Sequence, residues 1–280
     1  MARGAVEIWY AAWGDARAGY LVDLIRRPAE SVVRVAVFRR GEAARVRRQV
    51  FARQALVVDA DGEGATLESW RLDRSGCAGR IEDLALDCPY RLHEPAVTMV
   101  PAWVGRISAA VPALRSTPGT VIEAPGSAGG VPCVFTRYRV GDIARARWFL
   151  ISAQGFDSGD ARCEISGGWL GGRWALTGYL RLGDQLVPLN QPMANLRRFR
   201  AQATGAVDGP ARRFDVSYRS RRLTLRLTAE APSDAFVVLE REGATTIHTT
   251  LFGSCALDLT IDGSQRHLVA RDRCLLELKG

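Results

Sequence analysis

Ser152, Gln154 and Glu164 are the residues of this sequence best suited to chemistry. Ser152 and Gln154 stand two apart in Trp148 to Gln154, a run that is otherwise apolar. Side chains alternate along a strand, so Trp148, Ser152 and Gln154 share one face. If that face points inward, a hydroxyl and an amide sit in an apolar cavity, and buried polar groups need partners. A substrate carbonyl or hydroxyl would serve. If it points outward, the same residues form a polar stripe in water. Glu164 faces with Arg162 and Ser166 and reads as solvated; as the nearest carboxylate to the pair it is also the acid candidate. Trp9, Trp13, Trp148, Trp169 and Trp174 gather near the starts of the two halves of the chain. Each reads as core, and as a set they suit a pocket that stacks against a polyene, because indole offers a wide polarizable face and one donor. His248, in the run TTIHTTL, faces with Thr246 and Thr250. It reads either as part of a surface threonine ladder or as a hydrogen-bond donor or general acid at a pocket mouth.

Stronger catalytic signals do not occur. The sequence has no G-x-S-x-G, no P-loop and no G-x-G-x-x-G, so hydrolase, NTPase and dinucleotide readings lose their usual support. Its three histidines are dispersed. None of the six cysteines, Cys77, Cys88, Cys133, Cys163, Cys255 and Cys274, forms a C-x-x-C pair or stands beside a histidine at ligand spacing. They read as reduced, buried small hydrophobes. The expectation is no metal and no cofactor.

The elements that must position these residues read as strands. From Arg147 to Asn190 the chain is punctuated by Asp157-Ser158-Gly159-Asp160, by Gly167, Gly168, Gly171 and Gly172, and by Gly183-Asp184. Strands of five to eight residues between such turns are an all-β pattern. Trp148 to Gln154, Arg162 to Ser166, Arg173 to Leu182 and Gln185 to Leu189 are the predicted strands. The N-terminal layout is similar: Trp9-Tyr10 stands where Trp148-Phe149 stands, then come Tyr20 to Arg26 and a hairpin around Arg40-Gly41-Glu42. A repeat of about half the chain implies two related domains, here 1–144 and 145–280. Ala65 to Leu72 and Arg80 to Leu86 each read as one strand. Five prolines between Pro89 and Pro118 preclude a long helix there, leaving room for a short one at Trp103 to Ala110. A second short helix fits at Met193 to Phe199. The rest, from Phe214 to Leu278, is another meander. Seven to nine strands per half suit a closed or nearly closed antiparallel barrel, which can hold one small apolar ligand.

With 280 residues, 47% of them hydrophobic, the chain has ample material for one large or two medium cores. No run of ~18 apolar residues occurs, so no stable membrane insertion is expected. The N-terminal residues lack a signal peptide's apolar region, and the expected compartment is the cytoplasm. The net charge of +8 suggests nucleic acid, but its distribution argues against it. Arginine supplies nearly all of it, Lys279 being the only lysine, and the arginines are spread throughout. In Arg222 to Leu227 the polar residues alternate with leucines, which is a solvated sheet face over a buried one. No nucleic-acid partner is expected, and a homodimer stays open.

The stretch RWFLISAQGFDSGDARCEISGGWL resembles the strand pair that opens the second half of tocopherol cyclase and its bacterial relatives. There an aromatic run is followed by polar residues two apart and a glycine-rich turn. Trp148-Phe149-Leu150 stands for that run, and Ser152 and Gln154 for the polar pair, usually Gln and Asn. Ala175 to Asn190, Phe252 to Cys255, Ala270 to Gly280 and EIWYAAWGDARAGYLVDLIRRP resemble further hairpins and strands of the family. Its Asn-Trp-Gly block is replaced here by YRVGDIARA at Tyr138 to Ala146. The resemblance implies a tandem lipocalin-like protein, related to tocopherol cyclase, carotenoid 1,2-hydratase and the lipocalin-like Diels–Alderases. Those proteins handle long, apolar, unsaturated substrates. The implied function is a cofactor-independent cyclase, of isomerase or lyase type, in natural-product biosynthesis. Its substrate would be an apolar, polyene-bearing small molecule, polyketide-like or isoprenoid. Holding a reactive conformer would supply most of the catalysis, and hydrogen bonds would supply the rest. A hydratase or acid-initiated cyclase and a non-catalytic carrier are the alternatives. On this reading Gln154, Ser152 and Glu164 are catalytic, and Trp9, Trp13, Trp148, Trp174 and His248 line the substrate.

Overall fold

A computed structural model describes residues 6–14, 17–60, 62, 64–92, 97–98, 122–128, 131–140, 147–159, 161–170, 173–189, 199–204, 213–242 and 245–279. Those residues are almost wholly antiparallel strand, with two single 3-10 turns at Arg53–Ala55 and Ser233–Ala235. The all-β expectation therefore holds. The expected helix at 103–110 and residues 193–198 of the one expected at 193–199 lie outside the described residues, as does most of the proline-rich segment; Phe199 itself opens a strand. The chain divides into two compact units, residues 1–39 with 45–145 and residues 146–280 with 40–44.

The first unit holds β1 (Val6–Gly14), β2 (Ala18–Arg26), β3 (Glu30–Arg39), β4 (Arg45–Ala52), β5 (Leu56–Val58), β6 (Ala65–Leu67), β7 (Trp70–Leu72), β8 (Gly76–Ile81), β9 (Leu84–Leu92), β10 (Val97–Thr98), β11 (Ile122–Ala128) and β12 (Val131–Val140). They form one curled antiparallel sheet in the order β4-β3-β2-β1-β12-β11-β9-β8-β7-β6-β5, with β10 on β11. Its core follows from strand alternation. Trp9 pairs with Leu24 and Leu24 with Val33, while Ala11 pairs with Val22 and Val22 with Val35; all six are buried in one cluster with Trp13, Trp70 and Tyr90. The opposite face of β1 to β3 is buried too. There the row Tyr10, Asp23, Arg34 carries an ion pair of 2.6 Å between Asp23 and Arg34, each at most 5% exposed.

The second unit holds β13 (Trp148–Ala153), β14 (Ala161–Leu170), β15 (Arg173–Leu182), β16 (Gln185–Pro188), β17 (Phe199–Thr204), β18 (Arg213–Arg219), β19 (Leu223–Glu230), β20 (Val237–Glu242), β21 (Thr245–Ile261) and β22 (Ser264–Lys279). Their order is β16-β15-β14-β13-β22-β21-β19-β18-β17, with β20 on β21. Phe149, Ile151 and Ala153 point into a core with Cys163, Ile165, Leu176, Leu180, Leu225, Leu257 and Leu276. Phe149 rests against Phe214 at 5.4 Å between ring centres. On β19 the leucines are buried and Arg226 and Thr224 are exposed, the half-solvated pattern expected of that strand.

Several boundaries differ from the sequence reading. Gly167 and Gly168 do not break the chain; β14 runs through them. A Cβ on Gly167 would lie 2.6 Å from the Phe149 ring and 2.5 Å from Leu176, so glycine is required for packing rather than for a turn. Gly178, in β15, has the same cause: a Cβ there would lie 2.3 Å from the Glu164 carbonyl oxygen. Gly178→Ala is therefore expected to push β15 off β14 and destabilise the protein by about 1–3 kcal/mol, read as a lowered Tm. The segments 65–72 and 80–86 each split into two strands. The turns run through Glu68 and Glu82, at φ 54° and 53°, a conformation glutamate rarely takes and composition does not signal. In β1 the core residue is Trp9 and in β13 it is Phe149, so Trp9 and Trp148 do not hold equivalent inward positions.

Candidate functional site

The face of β13 opposite the core carries Trp148, Leu150 and Ser152, and Gln154, just past the strand's end, is buried. Gln154 keeps the sheet going, its backbone N–H donating to the Arg273 carbonyl at 3.4 Å. Register brings neighbours to this face. Ser152 lies opposite Glu164, and Glu164 opposite Tyr179. On the other side Ser152 lies opposite Leu275, Leu150 opposite Glu277, and Glu277 opposite Thr249. Directly opposed residues share a face with Cβ atoms ~5 Å apart, so these side chains form one contiguous surface.

That surface is polar and removed from water. Ser152 is 3% exposed, Gln154 6%, Glu164 1%, Glu277 3% and Lys279 3%, and Tyr179 and Thr249 are buried as well. The expectation that Glu164 is solvated is thus corrected. At 1% exposure its side chain lies on a covered face of β14, not on one open to water. Both of its carboxylate oxygens are buried with no hydrogen-bond partner, and so is the Thr249 hydroxyl. A buried carboxyl without a partner costs free energy, and structures keep few of them without a reason. Neither serine nor glutamine on its own would define such a place; the unmet carboxyl beside Ser152 and Tyr179 does.

The remaining expected residues are distributed as follows. Trp148 is half-buried at one end of the polar face, opposite Lys279. Trp9 and Trp13 belong to the first unit's core, Trp13 stacking on Tyr20 at 5.5 Å and Trp9 donating its indole N–H to the Gly62 carbonyl at 3.4 Å. Trp174 lies opposite Trp169, which is 40% exposed; the Trp174 side chain is outside the described residues. His248 lies opposite Leu278, which packs on the core, and so faces away from Glu164. Sequence reasoning missed Tyr179, Thr249, Glu277 and Lys279. For the last two a signal existed: Glu277 and Lys279 stand two apart on a strand of leucines, as Ser152 and Gln154 do on theirs, and Lys279 is the only lysine in the chain.

Cys88, Cys163, Cys255 and Cys274 are free thiols, all but Cys88 buried, and Cys77 is buried as well. Burial pushes the Cys163 and Cys274 thiols well above their ordinary range, which leaves them un-ionised and unreactive in the core. Among the described residues no cluster of three or more His, Cys, Asp or Glu is arranged to hold a metal ion, and no helix is long and apolar enough to cross a membrane.

The fold is all-β and lipocalin-like: two curled antiparallel sheets, each wrapped on its own core. Solved structures share it over nearly the whole chain. CghA, solved with Sch210972, matches with a TM-score of 0.64 at 10% identity, covering 99% of this chain and 88% of that one. An AttH protein from Nitrosomonas europaea matches with a TM-score of 0.55 at 14% identity, covering 98% and 91%. Kievitone hydratase from Nectria haematococca matches with a TM-score of 0.51 at 10% identity, covering 97% and 88%. No family model matches the sequence, and no curated protein does.

Proposed function

We propose that the buried polar face of the second unit is the site of a cyclase that works on an apolar, polyene-bearing small molecule without a cofactor. The observation that carries this reading is the Glu164 carboxyl, sequestered and unbonded beside Ser152 and Tyr179, with Gln154 buried just past the end of β13. A substrate carbonyl or hydroxyl placed there would meet the serine hydroxyl, the glutamine amide and the tyrosine phenol in a water-poor setting, where hydrogen bonds to developing charge are strongest. Trp148 and Leu150 on the same face supply apolar surface for the hydrocarbon. Holding one reactive conformer lowers the barrier by prepaid entropy, and the polar groups polarise the reacting system. The solved relatives support such a reading: one is named a hydratase and one was solved with a small molecule, Sch210972.

Glu164 also favours a second reading, a hydratase or acid-initiated cyclase in which the carboxyl transfers a proton to an alkene. One experiment separates the two. The protein is incubated with a panel of linear polyenes and the products are analysed by mass spectrometry. A product of unchanged mass and altered retention marks cyclisation; a product heavier by one water marks hydration. Substrates that bind but return unaltered mark a carrier and overturn both enzyme readings.

Gln154→Leu tests the assignment of the face. The two side chains have similar volume, so the Tm is expected to stay within a few degrees. A hydrogen bond lost in the transition state would lower turnover roughly ten- to a hundredfold. Unchanged turnover at an unchanged Tm would remove Gln154 from the site.

A further inference from the structure

Two side chains on the covered face of the second unit are buried with polar atoms that have no hydrogen-bond partner: the Glu164 carboxyl on β14 and the Thr249 hydroxyl on β21. Thr249 is 0% exposed. Valine has nearly the same shape, suits a strand as well and needs no partner, so a threonine there carries a cost. Buried hydroxyls elsewhere in the chain do find partners. Thr250, just as buried, points to the opposite face, and its hydroxyl accepts the Phe252 N–H at 3.2 Å. The Ser31 hydroxyl donates to the Arg53 carbonyl at 2.8 Å. Register sets the distance between the two unmet groups. Glu164 lies opposite Ser152 on β13; Thr249 lies opposite Glu277 on β22, and Glu277 opposite Leu150, two residues from Ser152. Three strand spacings and that two-residue offset put Glu164 and Thr249 about 16 Å apart along the sheet. Leu150 and Leu275 lie between them.

We infer that the ligand of this face lies across the strands from Glu164 to Thr249 and carries a hydrogen-bonding oxygen at each end of its hydrocarbon. The inference rests on the reading of this face as a ligand site, and it narrows the substrate class to polyenes that are polar at both ends. Carbon–carbon bonds of about 1.5 Å make an extended chain of roughly a dozen carbons long enough to bridge the two groups. Leu150 and Leu275 supply the apolar floor beneath it. A threonine hydroxyl both donates and accepts, so Thr249 takes a carbonyl or a hydroxyl alike. Holding that end fixes which carbons lie against Glu164, Ser152 and Tyr179. Thr249 is therefore the residue that sets the ligand's register, since a chain held at both ends cannot slide past the reacting groups.

The test uses linear conjugated polyenes of about twelve carbons with a hydroxyl at both ends, at one end or at neither, binding being read from quenched tryptophan fluorescence. The parent is expected to bind the diol about tenfold tighter than the mono-alcohol, and the mono-alcohol about tenfold tighter than the hydrocarbon. In Thr249→Val the diol is expected to fall to the level of the mono-alcohol, while the mono-alcohol, held at Glu164, binds as before. Thr249→Ser keeps a hydroxyl and should keep the diol's advantage. A diol of about half the length cannot bridge the two groups and should bind the parent no better than its own mono-alcohol. That comparison needs no substitution and serves if Thr249→Val does not fold. The two-ended ligand is overturned by a long diol no tighter than its mono-alcohol, or by an advantage that survives Thr249→Val. It is overturned equally by an advantage lost in Thr249→Ser or shared by the short diol. Each of those results leaves the ligand face standing; failure of every probe to bind would overturn the face as well.

Discussion

Glu164→Leu is expected to melt at a higher temperature than the parent and to lose conversion of substrate. The side chains have similar volume, and leucine removes a carboxyl that is 1% exposed with two unbonded oxygens. Relieving an unsatisfied buried polar group is worth about 1–3 kcal/mol. The Tm should therefore rise by several degrees. Conversion should fall about a hundredfold or more if the carboxyl moves a proton. Gain of stability with loss of function is what a residue kept for chemistry shows. A fall in Tm with conversion intact would make Glu164 a structural group. Glu164→Gln refines the result: it keeps hydrogen-bonding capacity and removes proton transfer. A large loss in that variant points to the acid mechanism, and a small one to cyclisation by conformational preorganisation.

The second expected result concerns the other face of the same strand. Phe149→Ala should destabilise the protein by about 3–5 kcal/mol, because the ring is 1% exposed and packs on Phe214, so its loss leaves a cavity. The cavity has a specific partner. Gly167→Ala alone should cost about 1–3 kcal/mol, since its Cβ would meet the Phe149 ring at 2.6 Å. Placed in the Phe149→Ala background, the same methyl enters vacated space, and its cost should vanish or change sign. Denaturant melts of the parent, the two single variants and the double variant measure the coupling, expected at about 0.5–3 kcal/mol. Additive values would mean that Phe149 and Gly167 do not share the packing described. Two residues five apart therefore report on different things: Phe149, in β13, on stability and Gln154, just past its end, on turnover.

How much of this was readable in advance varies by element. Arg173 to Leu182 matches β15 at both ends because its boundaries are written in local turn residues. The splits at Glu68 and Glu82 were hidden, since a non-glycine residue at positive φ is imposed by the surrounding strands and leaves no trace in composition. Trp9 shows the same limit in the site. Its type suits a ligand pocket and a core equally, and only its neighbours Leu24, Val33 and Trp70 decide for the core.

By itself the sequence determined that the protein is a glycine-punctuated, all-β chain, and that Trp148 and Ser152 lie on one side of a strand. Both follow from local covalent geometry, because a pleated backbone alternates its side chains whatever surrounds it. Tertiary structure decided which side is covered and who else stands there. Glu164 turned from an expected surface charge into a sequestered carboxyl, and Glu277 and Lys279 arrived from the far end of the chain by the pairing of β22 with β13. Register between strands distant in sequence is set by which packing buries the most apolar surface, and a one-residue slip would send every one of these groups to the opposite face. No local pattern contains that choice.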